Sequence, residues 1–154
     1  MICITVIGSP APQGSKKFVG VTKAGRGLMV ESSKKVKPWR QDVKDAAVAV
    51  MAGAAPLDGP LMALMTFTLP KPASAPKTRR TWPCRKPDAS KLARSTEDAL
   101  TDAGVWVDDA RVVALVAVKV YPGEGEDALH VPGAVIRVFQ AEKSGMRVLI
   151  GGAA

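Results

Sequence analysis

Carboxylates stand at both ends of one short segment, in a pattern that can do chemistry. Asp88 follows Pro87 at the start of a predicted helix, and the adjacent pair Asp108 and Asp109 precedes an apolar strand. Adjacent carboxylates repel each other unless a cation or hydrogen-bond donors offset their charge. Because Mg²⁺ is held by few carboxylates together with water and phosphate oxygens, these acids are candidate metal ligands. The alternative role for Asp88 is structural, since aspartate caps helix starts.

The elements that position these acids follow from the apolar periodicity of the chain. In chain order we predict a strand at residues 2–7, a long loop or hairpin at 11–37, a helix at 38–52, a strand at 61–69, a helix at 88–103, and strands at 112–121 and 131–140. The last two strands are expected to pair as a hairpin. In the first helix, the predicted buried positions are Val43, Ala46, Ala47 and Val50.

The order β-α-β-α-β-β predicts an α/β (α+β) fold, a single domain with helices packed on a mixed sheet. We place this domain at residues 1–140 and a C-terminal tail at 141–154, with a short strand at 146–150 as one option for the tail. The chain has 154 residues, which is long enough to bury a core of its own.

The second predicted helix has an apolar side and a polar side. Its inward positions are Leu92, Thr96, Ala99, Leu100 and Ala103. Its outward positions are Lys91, Arg94, Ser95, Asp98 and Asp102. Arg94 and Asp98 are four residues apart, so a surface ion pair between them is expected.

Positive charge is concentrated in two stretches of predicted loop. Residues 12–40 contain eight Lys or Arg against one acid, as do residues 71–94, and the whole chain has a formal net charge of +8. Loops dense in Lys and Arg follow a phosphate backbone by displacing its counterions, so we expect a nucleic-acid partner. The alternative is that these charges only solvate the loops. Trp39 and Trp82 lie beside the two stretches; we expect each to pack into the core, with stacking on exposed bases as the alternative.

Other classes of protein are disfavoured. Cys3 and Cys84 are far apart and have only His130 as a further Cys or His ligand, whereas a structural zinc site usually needs four, which argues against such a site. The apolar start of the chain is too short for a signal sequence, and no apolar run reaches the length of a membrane span. We therefore expect a cytoplasmic protein without a membrane partner.

The segment from Lys86 to Val112 resembles the RusA family of crossover-junction endodeoxyribonucleases. That family has a Lys/Arg-Pro-Asp-x-Asp-Asn-Leu-x-Lys block followed by Asp-Ala-Leu-Thr-x-Ala-Gly-x-Trp-x-Asp-Asp-x-x-Val. The chain matches it with Lys86-Pro87-Asp88, Leu92, Arg94, Asp98-Ala99-Leu100-Thr101, Ala103-Gly104, Trp106, Asp108-Asp109 and Val112. The Pro- and Lys-rich stretch at residues 10–17 is similar to the loop after the first strand in that family.

The resemblance implies a homodimer that binds branched DNA, namely four-way Holliday junctions. Such enzymes make paired, symmetric nicks with Mg²⁺ or Mn²⁺, act in recombination and repair, and are often encoded by phages. Carried over by position, Asp88 and Asp109 are catalytic metal ligands, Asp108 assists, and Arg94 stands where a functional lysine is usual. The DNA-contacting residues that we expect are Lys16, Lys17, Lys77, Arg79, Arg80, Arg85, Lys86 and Lys91.

One departure from the family pattern concerns the metal. The second acid of Asp-x-Asp is Ser90 in this chain, and the following Asn is Lys91. A hydroxyl is a weaker ligand than a carboxylate, so either Asp108 or a water on Ser90 fills the position, metal affinity falls, or the site is inactive. We expect a working site. The alternatives are a non-catalytic junction-binding protein with a decayed site, a broader structure-selective nuclease, and an interaction module without nucleic acid.

The predicted helix raises a geometric constraint on this site. Sixteen helical residues extend roughly 24 Å, whereas the linker at residues 104–109 reaches at most about 20 Å. Asp88 and Asp109 of one chain therefore meet only if the linker doubles back along the helix. Antiparallel helices across a two-fold axis bring the two acids together from different chains, which predicts a dimer with a shared site.

Overall fold

The computed structural model describes residues 1–14, 16–31 and 34–141, without the side chains at 16–18 and 27–31. The predicted tail strand at residues 146–150 lies outside the described residues, and the domain boundary at 140 stays a prediction. In chain order the elements are β1 (Ile2–Ile7), β2 (Lys16–Val21), β3 (Gly27–Glu31), α1 (Val36–Met51), β4 (Leu61–Thr68), α2 (Ala89–Asp102), a 3₁₀ turn (Asp109–Arg111), β5 (Val112–Val120) and β6 (Gly133–Gln140).

A mixed four-stranded sheet with the strand order β1-β6-β4-β5 organises the fold. β4 is central: it pairs parallel to β5 and antiparallel to β6, and seven of its eight residues are buried. A strand buried on both faces reads as a continuous apolar run, as Leu61–Leu69 does in the sequence. Two helices pack on this sheet, which confirms the predicted fold class.

The expected hairpin of the last two strands is wrong. β6 lies between β1 and β4, where it pairs antiparallel to both, so β5 and β6 are separated by β4. Residues 121–132 connect them. These twelve residues easily cross the width of one strand, about 10 Å between next-nearest strands. The insertion of β6 gives β1 a hydrogen-bonding partner, which a terminal hairpin would not.

Residues 11–37 contain the hairpin that was one of the two predictions for this segment. β2 and β3 form a separate two-stranded antiparallel sheet. Thr22 N donates to the carbonyl of Arg26 across the turn, at 2.8 Å. The helix α1 then begins at Val36, two residues before its predicted start, and Pro38 lies in its first turn, as expected.

The core lies where α1 and α2 cover one face of the sheet. Trp39 on α1 is 1% exposed, packs edge-on against Phe67 of β4 with ring centroids 6.4 Å apart, and donates its indole N–H to Thr96 Oγ1 of α2 at 3.1 Å. This confirms the predicted core position of Trp39. Val43 and Ala47 are also buried, but Val50 is 46% exposed, so its predicted burial is wrong.

The inward stripe of α2 is confirmed, because Leu92, Thr96, Ala99 and Leu100 are buried. Ser95 was expected to face outward but is fully buried. Its hydroxyl donates to the carbonyl of Ala11 at 2.6 Å, since the segment after β1 packs against the helix there. In the part of the chain that the structure describes, no helix is long and apolar enough to cross a membrane.

The buried Trp39–Thr96 hydrogen bond joins α1 to α2 and generates a stability prediction. Thr96→Val keeps the shape of the side chain but leaves the indole N–H of Trp39 without an acceptor. We expect the free energy of unfolding, measured by urea denaturation, to fall by about 1–3 kcal/mol. In a Trp39→Phe background the same substitution should cost clearly less. An equal cost in both backgrounds would show that the hydrogen bond does not couple the two helices.

Candidate functional site

Asp88 occupies the N-cap position of α2, where a structural role was the alternative to a chemical one. Its backbone is extended, with φ −73° and ψ 138°, as an N-cap requires. Its side chain, however, makes no capping hydrogen bond. The carboxylate is about half exposed. Among the described residues, its one ion-pair partner is the ammonium of Lys91, at 3.7 Å. The carboxylate of Asp88 therefore remains open to a ligand.

A cleft of about 430 Å³ lies beside Asp88. Its basic lining residues are Lys35, Lys86 and Lys91, and its opposite wall is the segment from Pro10 to Gly14. A second cleft of about 330 Å³ also includes Pro10, Lys35, Lys86 and Pro87, so the two adjoin. Together they form a basic groove that leads to the N-terminus of α2, where anions are also favoured by the helix dipole. Ser90 is exposed in the first turn of α2, at the same end.

The second acidic position is built by the 3₁₀ turn before β5. Asp108 precedes this turn, and its side chain accepts a hydrogen bond from the N–H of Ala110 at 2.8 Å. Asp109 begins the turn and is exposed. The donor of Ala110 offsets part of the repulsion between the adjacent acids. Asp108 thus has a structural role, and Asp109 is the freer ligand of the pair.

Glu97 on α2 is a carboxylate that the sequence analysis did not single out. Burial raises its pKa most, the nearby charges of Asp109 and Asp98 raise it further, and Arg94 opposes these effects. Glu97 therefore lies near Asp109, on the side of α2 that the 3₁₀ turn approaches. The sequence signal was weak, because this proximity depends on how the linker after α2 returns along the helix.

Asp88 and Asp109 of one chain lie at opposite ends of this arrangement. Lys119 near the end of β5 donates to the carbonyl of Pro87 at 2.9 Å, whereas Asp109 precedes the start of β5. The eight residues from Val112 to Lys119 extend roughly 23 Å along a strand. Glu97, which lies near Asp109, is nine helical residues or about 13 Å from Asp88. One cation cannot bridge such a separation, and the described residues contain no group of three His, Cys, Asp or Glu that could hold a metal.

Arg94 does not form the expected ion pair with Asp98. Instead Arg40 of α1 contacts Asp98 at 3.4 Å and Asp102 at 2.9 Å. Arg94 is exposed one turn before Glu97, and within the described ranges it makes no ion pair. Its guanidinium is therefore available on the face of α2 between the two acidic positions.

The loop between β4 and α2 carries most of the residues that were predicted to contact DNA. Six of the predicted DNA-contacting side chains are exposed in this loop or in the first turn of α2, namely Lys77, Arg79, Arg80, Arg85, Lys86 and Lys91. Lys16 and Lys17 lie in β2, but their side chains fall outside the description. Of these residues, Arg85, Lys86 and Lys91 line the groove beside Asp88, whereas Arg80 lines a different cavity with Glu126 and Asp127.

Trp82 was expected in the core, and that expectation is wrong. Its side chain is 54% exposed in the same loop, and the guanidinium carbon of Arg80 lies 4.2 Å from the centroid of its ring. The buried positions near the loop are taken by Pro83 and Leu69 instead. The two cysteines, Cys3 and Cys84, are free and exposed.

Comparison with families of known proteins gives a match. The family model of the endodeoxyribonuclease RusA matches residues 8–131, which covers most of the chain. The matched range includes both acidic positions and the basic loop. No curated protein matches the chain.

The environment of Glu97 generates a prediction about pH. A raised pKa means that the folded protein favours the protonated form of Glu97. The contribution of this protonated side chain to the free energy of unfolding is complete below the ordinary pKa of 4.5. It is lost as the pH rises through the raised pKa, because the carboxylate is then charged and partly buried. Glu97→Gln should therefore raise the free energy of unfolding at pH 7, and this gain should shrink below pH 4.5. Urea denaturation at both pH values, without divalent ions, measures it. The exposed Glu126→Gln is the matched control, and equal stability of Glu97→Gln and wild type at pH 7 would contradict the prediction.

Proposed function

Since the chain belongs to the RusA family of Holliday junction endodeoxyribonucleases, which act on branched DNA, we propose that it resolves four-way junctions by paired, symmetric, metal-dependent nicks. The observation that supports this most is the family match over residues 8–131, within which Asp88 and Asp109 keep the acids of the motif. Both carboxylates are exposed, and Asp88 borders a basic groove. We place this activity in the cytoplasm of a bacterium or of a phage-infected host.

The donor set suits Mg²⁺, or Mn²⁺ in its place. Carboxylate oxygens are the hard ligands that both ions accept, and Mg²⁺ needs only one or two of them beside water and phosphate oxygens. When bound, such an ion supplies Lewis-acid polarisation of the phosphate and a more acidic water. In our proposal Asp88 and Asp109 hold it, and Ser90 contributes at most through a water molecule.

Two chains are needed to bring these ligands together. In one chain Asp88 precedes the first residue of α2, whereas Asp109 lies near Glu97, about 13 Å further along the helix. Antiparallel packing of α2 against its copy, across a two-fold axis, places the first acid of one chain next to the second acid of the other. We therefore propose a homodimer with two shared sites, which suits two symmetric nicks in a four-way junction.

The remaining residues orient and hold the substrate. Asp108, through its hydrogen bond from Ala110, fixes the turn that presents Asp109. Arg94 is exposed on α2 and offers a guanidinium to the charge that develops on the phosphate. The exposed cations of the loop before α2 bind the DNA backbone, so affinity should fall with rising salt.

Ser90 favours a second candidate function. With a hydroxyl in place of the family acid, the chain could be a junction-binding protein whose catalysis has decayed. Junction binding without cleavage in either Mg²⁺ or Mn²⁺ would support that alternative. Ser90→Asp restores the family residue at an exposed position of the first helical turn, and recovery of cleavage in this variant would identify Ser90 as the cause. Comparing cleavage of junction, fork and linear duplex substrates distinguishes a junction-specific enzyme from a broader structure-selective nuclease.

The metal-ligand assignment gives the central prediction. Asp109→Asn should lower the rate of Mg²⁺-dependent junction cleavage by at least about 100-fold, since a lost ligand removes several kcal/mol of charge stabilisation. Asp102→Asn is the matched control. Asp102 pairs with Arg40 of α1 and lies outside the proposed site, so this variant should keep most of the activity. Unchanged cleavage by Asp109→Asn in a synthetic four-way junction would remove Asp109 from the site.

The shared site gives a prediction about mixed dimers. Subunits carrying Asp88→Asn and Asp109→Asn are each expected to be inactive as homodimers. If the site is shared, a heterodimer retains one intact site, so refolding the two variants together should restore nicking of one strand, to as much as half of the wild-type number of nicks per dimer. Single nicks and paired cuts are scored on supercoiled cruciform plasmid. No recovery in verified heterodimers would mean that each site belongs to one chain.

A further inference from the structure

Trp82 differs from the other two tryptophans in having no packing role. Trp39 and Trp106 are each 1% exposed, and their indole N–H groups donate to Thr96 and Thr101. Trp82 is 54% exposed. Its backbone carbonyl accepts a hydrogen bond from the N–H of Cys84 at 2.8 Å, a tight turn that buries Pro83 and leaves the indole outside. The local structure therefore presents a large aromatic surface to solvent.

Arg80 covers part of this surface. Its guanidinium carbon lies 4.2 Å from the ring centroid of Trp82, a cation–π stack, and among the residues placed by the structure Arg80 forms no ion pair with a carboxylate. A stacked guanidinium and indole offer a flat apolar face next to a positive charge, which the nearby carboxylate of Glu124 offsets in part. This combination suits a flat ring attached to an anion.

The stacked pair is held in place from behind. Thr81, between Arg80 and Trp82, donates its backbone N–H to Glu124 Oε2 at 3.0 Å, and Lys71 bonds the other oxygen of the same carboxylate. Glu124 belongs to the connection between β5 and β6. The loop is thus tied to the sheet at the residue between the two stacking partners, which fixes where they point.

The pair is close to Asp88 along the chain. Trp82 and Asp88 are six positions apart, a path of at most roughly 20 Å. Lys119 ties this path down by donating to the carbonyls of Arg85 and Pro87, both at 2.9 Å. A strand of DNA whose phosphate lies at Asp88 therefore has nearby nucleotides within reach of Trp82.

We infer that Trp82, with Arg80 stacked on it, stacks on a base whose face is exposed at the branch point of the DNA, an inference that rests on the proposed nuclease function. Bases inside a duplex are stacked on each other and cannot reach a side chain outside the helix. Aromatic side chains bind exposed bases through stacking that tolerates any sequence. The pair thereby distinguishes branched from linear DNA by the accessibility of its bases and not by their identity.

Binding assays in EDTA, which withholds the metal and so prevents cleavage, test this inference. The substrates are a four-way junction and a fully paired linear duplex of the same length. Trp82→Ala should weaken junction binding by roughly 5- to 100-fold, the range that loss of one base–aromatic stack implies, and change duplex binding by less than about 2-fold. Trp82→Phe, which keeps an aromatic ring, should fall between Trp82→Ala and wild type. Circular dichroism should show an unchanged fold, since Trp82 is exposed.

Two charge variants serve as matched controls. Arg79→Ala removes one exposed cation that is not stacked, so it should weaken binding to both DNAs by similar factors. Arg80→Lys keeps the charge but removes the flat guanidinium, so it should weaken junction binding more than Arg79→Lys does. Quenching of the Trp82 fluorescence, taken as the difference between wild type and Trp82→Phe, should be strong with the junction and weak with the duplex.

The outcomes separate the inference from the function on which it rests. If wild type cleaves junctions in Mg²⁺ but Trp82→Ala binds both DNAs as wild type does, or loses affinity for both equally, the stacking role is overturned and the nuclease function stands. If wild type binds no branched DNA, the proposed function fails and the inference fails with it. A selective loss of junction binding supports the inference even if cleavage is absent, because the assay contains no metal.

Discussion

The parallel pairing of β4 with β5 is the constraint on which the rest of the structure depends. Parallel neighbours cannot be joined by a tight turn, so the chain must return along the sheet, and α2 makes that return. The 14 residues of α2 extend about 21 Å, against about 30 Å for the nine residues of β5, so the start of the helix lies far from the start of the strand. Asp88 begins this helix and Asp109 follows it, so the topology itself separates the two acids within a chain.

Much of the fold could be predicted from the sequence because burial leaves a local pattern. The apolar run of β4 and the stripe of Leu92, Thr96 and Leu100 on α2 identified their elements almost to the residue. Which strand lies beside which has no such local signal, and the position of β6 between β1 and β4 was therefore missed. Ser95 was misplaced for a related reason, since the carbonyl of Ala11 that it bonds comes from a distant segment.

The candidate site was predictable in its residue types and not in its geometry. Asp88 starts α2 as expected, and the family motif identified Asp109 without any knowledge of its surroundings. The nearness of Glu97 to Asp109 depends on the path of the linker after α2, which residue spacing does not encode. Trp82 was assigned to the core on residue type alone, whereas its exposure follows from the turn at Pro83.

The ammonium of Lys119 bonds the carbonyls on both sides of Lys86, so the backbone at this cation is already held before any partner arrives. A loop that must become ordered on binding loses conformational entropy at that moment, which weakens the complex. Here folding of the sheet has already imposed that loss. The segment that leads into α2 can therefore present its charges in a fixed arrangement. Because the loop does not adjust to each DNA shape, a DNA that fits this arrangement poorly binds with lower affinity.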